Sequence, residues 1–380
     1  MKMEYIALKD VCKINMGQSP SSSSYNENED GIPFFQGNAD FGERYPVARV
    51  WCNNPTKVAN PGDILLSVRA PIGALNYAKE NCCIGRGLAA LTPNRDKVLI
   101  EYVYWVLKSK NTELNSKGTG STFKAISRKV LEETMIPDID LERQQRCVEI
   151  LEKLYRVIQM QKKKYRCLDE LVRSRFVELF GDPELNPMGW EKVTLNDVCS
   201  SIVRGPFGSA LKKEFFVEPS ETTYKVYEQK HAIQKSASIG TYYITQEKYR
   251  ELKRFECLPG DILMSCSGTM GELYQLPEGC EKGVINQALC KFTLNDKILP
   301  VCFLVYMQQT IGKLETKGSG IQNIAAVSYI KQMPINLPPM EVQKKFERFV
   351  NQINKSKLIV QKELDETQLL FDSLMQEYFG

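Results

Sequence analysis

The chain has 380 residues, long enough for two cores of ordinary domain size, and no apolar run reaches the roughly 20 residues a membrane helix needs. Twelve cysteines stand against one histidine, His231, with no Cys-x-x-Cys spacing, which favours buried free thiols over a metal centre. The net charge of +4 is too mild to name a partner by itself.

The opening residues MKMEYIALKD lack the apolar stretch of a signal peptide, so a cytoplasmic protein with no membrane partner is expected. From Tyr5 to Ile14, YIALKDVCKI reads as a short helical or strand segment. It returns as WEKVTLNDVC from Trp190 to Cys199, with Leu195 answering Leu8 at an offset of 187. The Ser-rich run QSPSSSSY from Gln18 to Tyr25 reads as a mobile loop. Pro61-Gly62-Asp63 and Pro259-Gly260-Asp261 each precede an apolar run ending at Ser67 and Ser265, a turn feeding a strand, at an offset of 198. Neither aspartate has an acidic neighbour that would make a catalytic pair.

Both strands end in glycine-terminated loops, Arg69-Ala70-Pro71-Ile72-Gly73 and Ser267-Gly268-Thr269-Met270-Gly271. Gly85-Arg86-Gly87 and Val284-Ile285-Asn286-Gln287 follow at similar places. Such loops either expose backbone N–H groups to phosphates or are plain hairpin turns. Lys117-Gly118-Thr119-Gly120 and Lys317-Gly318-Ser319-Gly320, offset 200, follow expected helices over 102–109 and 303–310. They suit phosphate contact and a helix C-cap equally, and they lack the lysine placement of a GxxxxGK[ST] loop.

Residues 140–181 and 341–380 carry apolar side chains in alternating steps of three and four, which is heptad periodicity over rods of roughly 60 Å. The first stripe is Leu151, Leu154, Ile158, Tyr165, Leu168 and Val172. The second is Val350, Ile353, Val360, Leu364, Phe371 and Leu374, in the same phase at an offset of 199. One offset held along a whole helix identifies a duplication. The segments 18–60 and 204–257, by contrast, do not resemble each other, so the frame is copied while the surfaces diverge to bind two different things.

The densest basic and aromatic stretch lies in the second copy: Arg204, Phe207, Lys212 and Lys213, then Lys230 and His231. These are side chains that hold phosphates and read base edges, and a charged amphipathic surface has the same composition. The sequence has no HExxH and no [DN]-P-P-[FYW] of amino-methyltransferases, which argues against an enzyme.

The duplicated order of these parts resembles the DNA specificity (S) subunit of Type I restriction-modification systems. The features that carry the resemblance are PGDIL with Ser67 and Ser265, KGxG, and the openings Ile136-Pro137…Glu142-Arg143-Gln144 and Leu337-Pro338-Pro339-Met340-Glu341-Val342-Gln343. The segment Gly205-Pro206-Phe207-Gly208 is also similar to second-domain sequences of that family.

The resemblance implies an α/β class. Target recognition domains would span 1–139 and 182–339, joined by long helices at 140–181 and 340–380 that pair antiparallel as an intramolecular coiled coil. Unlike side chains at equivalent heptad sites, Gln161 against Val360 and Arg175 against Leu374, favour pairing within the chain over self-association of each copy.

The chain itself would be non-catalytic and hold no cofactor. Each domain would read half of a split, asymmetric site in double-stranded DNA, with half-sites about 34–36 Å apart. The helices would set the gap and dock two modification subunits, which carry S-adenosylmethionine and methylate adenine, and a restriction subunit can join that complex. DNA contacts are expected at Arg69, Arg86, Lys117, Arg204, Phe207, Lys212, Lys213, Lys230, His231, Ser267, Thr269, Gln287 and Lys317. The competing reading is a coiled-coil protein scaffold without DNA specificity.

Overall fold

Each Pro-Gly-Asp turn feeds a strand buried on both faces, Ile64–Ser67 and Ile262–Ser265, and around each strand the chain builds one unit. The computed structural model describes residues 4–120, 124–314 (backbone only over 312–314) and 327–380. It divides into residues 1–163 with 361–380, and residues 164–360.

In the first unit Ile64–Ser67 lies inside a four-stranded antiparallel sheet ordered Cys12–Met16, Leu88–Pro93, Ile64–Ser67, Leu75–Tyr77. Strand alternation sends Ile64 and Leu66 to the face covered by the helix Ile100–Ser109, with Tyr102 and Trp105 in that core. It sends Leu65 to the other face, against Phe35, Cys82 and Ile84 of a second sheet. A strand covered on both faces must be apolar throughout, which explains the continuous Ile-Leu-Leu run. The second sheet is ordered Tyr25–Asn26, Trp51–Cys52, Ile32–Phe35, Cys82–Ile84, Val58–Ala59, and its Ile32–Phe35 and Cys82–Ile84 strands run parallel.

The second unit repeats this plan. Its first sheet is ordered Cys199–Arg204, Leu289–Leu294, Ile262–Ser265, Leu273–Gln275, and its second Tyr243–Ile244, Tyr224–Tyr227, Gly283–Ile285, Glu256–Cys257. Tyr224–Tyr227 runs parallel to Gly283–Ile285, and Glu256–Cys257 is antiparallel to it. The segments that share no sequence pattern therefore each supply two equivalent strands, Ile32–Phe35 and Val58–Ala59 or Tyr224–Tyr227 and Glu256–Cys257, which flank a strand beyond the segment, Cys82–Ile84 or Gly283–Ile285. A backbone ladder needs buried β-formers and not particular side chains, so the topology persists where the sequence likeness has vanished. Divergence lies in what is attached: Tyr25–Asn26 and Trp51–Cys52 in one unit, Tyr243–Ile244 with the helices Gln229–Ile233 and Gln246–Glu251 in the other.

The recurring opening is a strand, a one-turn helix and a strand in both copies. Tyr5–Ala7 pairs with Met135–Pro137, and Glu191–Thr194 with Pro334–Leu337. The Ser-rich segment expected to be a mobile loop is folded. Ser22–Ser24 forms a 3₁₀ turn in which Ser24 Oγ donates to Ser21 O at 2.6 Å, and Tyr25 Oη donates to Pro20 O at 3.0 Å.

The two long helices are Leu141–Phe180 and Met340–Phe379, 40 residues each. Each passes from one unit into the other. In the first unit, Val148, Leu151 and Ile158 share a core with Phe371, Met375 and Phe379, and Gln161 Nε2 donates to Thr367 Oγ1 at 3.4 Å. In the second, Phe176 and Phe180 meet Phe346 at 5.5 and 5.3 Å, the Arg175 guanidinium lies 5.7 Å from the Phe349 ring, and Lys357 pairs with Asp169. Ascending positions on one helix meet descending positions on the other within each unit, so the pairing is antiparallel.

Of the expected stripe, Leu151, Ile158, Val350, Val360 and Phe371 are buried. Leu154, Tyr165, Leu168, Val172, Ile353, Leu364 and Leu374 are half-buried. Phe176, Phe180, Phe346, Met375 and Phe379 extend it sideways, because within each unit the helix segments also bury a flank against that unit's domain and need a wider apolar face than a two-helix seam.

All twelve cysteines are free thiols, nine of them buried, and burial raises those of Cys12, Cys82, Cys199 and Cys302 to about 12. They behave as small core hydrophobes. Among the described residues there is no cluster suited to a metal ion, and no helix is long and apolar enough to cross a membrane.

Candidate nucleic-acid interface

At one edge of each unit four loops are stitched together by the same backbone hydrogen bonds. In the first unit Gly17 N–H donates to Leu88 O (2.9 Å), Gly85 N–H to Phe35 O (2.8 Å), Val68 N–H to Gly87 O (2.9 Å) and Leu88 N–H to Gly85 O (3.0 Å). In the second, Gly205 donates to Leu289 O (2.9 Å), Asn286 to Tyr227 O (2.9 Å), Cys266 to Ala288 O (2.8 Å) and Leu289 to Asn286 O (3.1 Å). The strand-leaving loop must approach the turn closely. A Cβ on Gly17 would sit 2.1 Å from Gly85 O, and one on Gly205 would sit 1.8 Å from Asn286 O, so both positions demand glycine.

The repeated motifs build this edge. Asp63 and Asp261 close their own turns, accepting from Asn60 N at 2.8 Å and Leu258 N at 2.9 Å. Ser67 Oγ donates to Arg69 O at 2.9 Å, and Ser265 Oγ to Thr269 O at 2.6 Å, curling the loops that follow the central strands. Gly73 and Gly271 reverse those loops at φ +89° and +82°, a left-handed conformation that suits glycine.

The expected contact residues fall into three groups. Arg69, Arg86, Phe207, Lys213, Thr269 and Gln287 are exposed, with Ser267 half-exposed beside Thr269 and Arg204 half-exposed at the end of its strand. Phe207 is 90% exposed on the loop after Gly205, an unusual place for a phenyl ring. A second group is held by intramolecular partners. Lys117 caps the helix Asn111–Ser116 and pairs with Glu113 at 2.5 Å, Lys212 lies 3.7 Å from Glu214, and Lys230 lies 2.7 Å from Glu228.

His231 forms the third group and corrects the expectation of DNA contact there. Its ring is fully buried. Glu228 N–H donates to Nδ1 at 2.8 Å, so Nε2 carries the proton and donates to Ile239 O at 2.7 Å. Burial lowers its pKa, and the neutral ring pins the 228–239 loop from inside. Lys317 lies outside the described residues.

Gln229, which the sequence did not single out, ties this edge together in the second unit. Its Nε2 donates to Ser267 O and, at 3.2 Å, to Thr269 O. Sequence inspection offered no signal, because the partners lie about forty positions away.

A second feature missed by sequence lies in the first unit. Arg44 Nη2 meets both carboxylate oxygens of Glu152 at 2.8 and 2.9 Å, and the guanidinium faces the rings of Tyr104, Trp105 and Tyr155 at 4.9, 4.9 and 4.4 Å. Trp105 Nε1 donates to the same carboxylate at 3.0 Å. This box anchors the 41–46 loop of the variable segment to the first long helix. Beside it, Lys108 is half-buried near Trp105 and Tyr155, and desolvation together with Arg44 lowers its pKa to about 8.

The chain is similar to known proteins in sequence and in fold. A family model described as Type I restriction modification DNA specificity domain matches residues 1–169 and 187–367. The specificity subunit of type I restriction enzyme MjaIX from Methanocaldococcus jannaschii is 24% identical over 407 aligned positions, covering 97% of this chain and 90% of that protein. A second protein of that organism, provisionally named the specificity subunit of type I restriction enzyme MjaX, is 44% identical over 151 residues, 40% of this chain and 36% of its own length.

Among solved structures, the S subunit of a Type I system from M. genitalium superposes with a TM-score of 0.56 at 15% identity, covering 100% of this chain and 97% of that one. A chain from a structural study of type I R-M complex assembly and conformational transition gives 0.60 at 17% identity, covering 100% and 99%. These two likenesses show the fold. With the family model matched in both halves, and the same sheets and loops found in both, the chain belongs to the Type I restriction-modification DNA specificity family, as a specificity subunit with a duplicated recognition domain.

Proposed function

We propose that this chain is the non-catalytic DNA reader of a Type I restriction-modification complex, each unit recognising one half of a bipartite, asymmetric site in double-stranded DNA. The observation that carries this reading is the pair of loop edges, built by the same backbone hydrogen bonds and bearing different exposed side chains. Equal frames present their surfaces alike, and unlike surfaces select unlike bases.

The long helices set the gap between half-sites. Support comes from their continuity, since each runs for 40 residues without interruption and contributes to both units. Their outward faces, with Leu358 and Leu369 exposed, dock two modification subunits, which hold S-adenosylmethionine and methylate adenine. A restriction subunit joins the same assembly where the system cleaves DNA.

Selection of bound duplexes from a random pool, using the chain assembled with its modification subunits, tests the reading. A split motif with unlike halves and a fixed gap is the expected result. Steep loss of affinity with salt accompanies it, because a DNA reader releases counterions from phosphates. A chain that enriches no motif while its assembled partners are active would be a scaffold.

A further inference from the structure

We propose that Arg86 and Gln287 are corresponding specificity-determining residues, each reading one base pair through the major groove, Arg86 a guanine and Gln287 an adenine. The inference rests on the DNA-reading function proposed above and assigns its chemistry to two side chains.

Both residues occupy the same place. Arg86 lies between Cys82–Ile84 and Leu88–Pro93, Gln287 between Gly283–Ile285 and Leu289–Leu294. In each unit the turn is fixed by a bond to the parallel neighbour strand (Gly85 to Phe35 O, Asn286 to Tyr227 O), by its own closure, and by a bond received from the loop after the central strand. Crowding adds rigidity in the first unit, where a Cβ on Gly87 would lie 2.2 Å from Gln36 O. One side chain projects from each such turn, and both are exposed.

Their freedom separates them from several other candidates. The basic groups of Lys117, Lys212 and Lys230 are paired within the protein, and the His231 ring is buried. The side chains of Arg86 and Gln287 make no hydrogen bond or ion pair among the described residues, although both present a planar fork, two donors in the guanidinium and a donor beside an acceptor in the carboxamide. Arg69 and its counterpart Ser267 are also presented by corresponding loops, but Arg69 is engaged in a backbone bridge to Ala125 and Ser267 O accepts from Gln229. A rigid backbone carrying an unengaged planar side chain is what direct readout requires. Guanidinium matches guanine O6 and N7 bidentately, and a carboxamide matches adenine N6 and N7.

The test repeats pool selection with the assembled complex carrying R86Q or Q287R, alongside R86A and Q287A. In the unaltered complex, replacing the guanine read by Arg86 lowers affinity by about 5- to 150-fold, the range for one bidentate base contact. R86Q is expected to exchange guanine for adenine at one position of one half-site and leave the other half unchanged. Q287R is expected to do the reverse in the other half, and the alanine variants to relax the same single positions.

Thermal melting of each variant should match the parent, since the side chains are exposed and unbonded. A motif that survives R86Q and Q287R unchanged overturns the assignment while leaving the proposed function intact. So does a uniform loss of affinity for all sequences with the salt slope reduced by about one, the signature of a phosphate contact. If the parent complex selects no motif, the function falls and this assignment with it.

Discussion

Gln144 and Gln343, 199 positions apart, make the same three hydrogen bonds at the start of the two long helices. Gln144 Oε1 accepts from Leu99 N–H at 2.9 Å, and its Nε2 donates to Lys97 O at 3.2 Å and Ile139 O at 2.8 Å. Gln343 accepts from Leu299 N–H at 2.9 Å and donates to Lys297 O at 2.9 Å and Pro338 O at 3.0 Å. Both side chains are buried, so the glutamine of each Glu-x-Gln latches a long helix to its domain.

Replacing either glutamine by leucine leaves a buried N–H and two carbonyls unpaired, at an expected cost of at least about 2 kcal/mol. Glutamate is no rescue, since it would set carboxylate oxygen against two carbonyl oxygens. Urea unfolding should therefore place Q343E no higher than Q343L, and a Q343E variant as stable as the parent would refute the latch.

The two Pro-Gly-Asp aspartates are alike in sequence and unequal in energy. Asp261 also meets the buried Lys291 at 3.2 Å and accepts from Thr293 Oγ1 at 2.5 Å, whereas Asp63 caps only its turn. D261N strands a buried ammonium and should cost about 3–5 kcal/mol. D63N, whose amide oxygen still accepts from Asn60, should cost about 1 kcal/mol or less. Equal losses in denaturant unfolding would contradict the difference.

Lys108 makes stability depend on pH in a defined direction. Burial and the neighbouring Arg44 and Lys162 lower its pKa to about 8, while Glu152 opposes them. Between that value and the ordinary lysine value the unfolded chain binds more protons than the folded one. Stability from this group therefore rises with pH across the window. K108M removes the half-buried ammonium, so its stability relative to the parent should be greatest near pH 7 and fall by about 2–3 kcal/mol towards pH 10.5. Raised thiols and tyrosines titrate in both proteins and cancel in the comparison; a difference independent of pH would show the lysine is not desolvated.

Inserting one heptad after Lys163 and another after Val360 preserves the phase of both stripes and lengthens each helix by about 10 Å. The gap between selected half-sites should widen by about three base pairs, at 3.4 Å each. Pool selection with the lengthened complex reads the gap directly, and an unchanged gap would remove the helices' role as a ruler.

The sequence alone determined the duplicated frame, the turns that feed the central strands and the heptad stripes of the helices. These are local patterns or repeats at one offset, legible without knowing neighbours in space. Only the tertiary structure decided which candidate side chains are available. His231 looks like a base reader beside lysines until its ring is found buried between Glu228 and Ile239. Arg44 carries no motif until Glu152, over a hundred positions away, closes on it. The two equivalent strands of the variable segments were equally invisible, because backbone pairing leaves side-chain identity nearly free. Burial and hydrogen-bond partners come from residues distant in the chain, and so they are properties of the folded molecule.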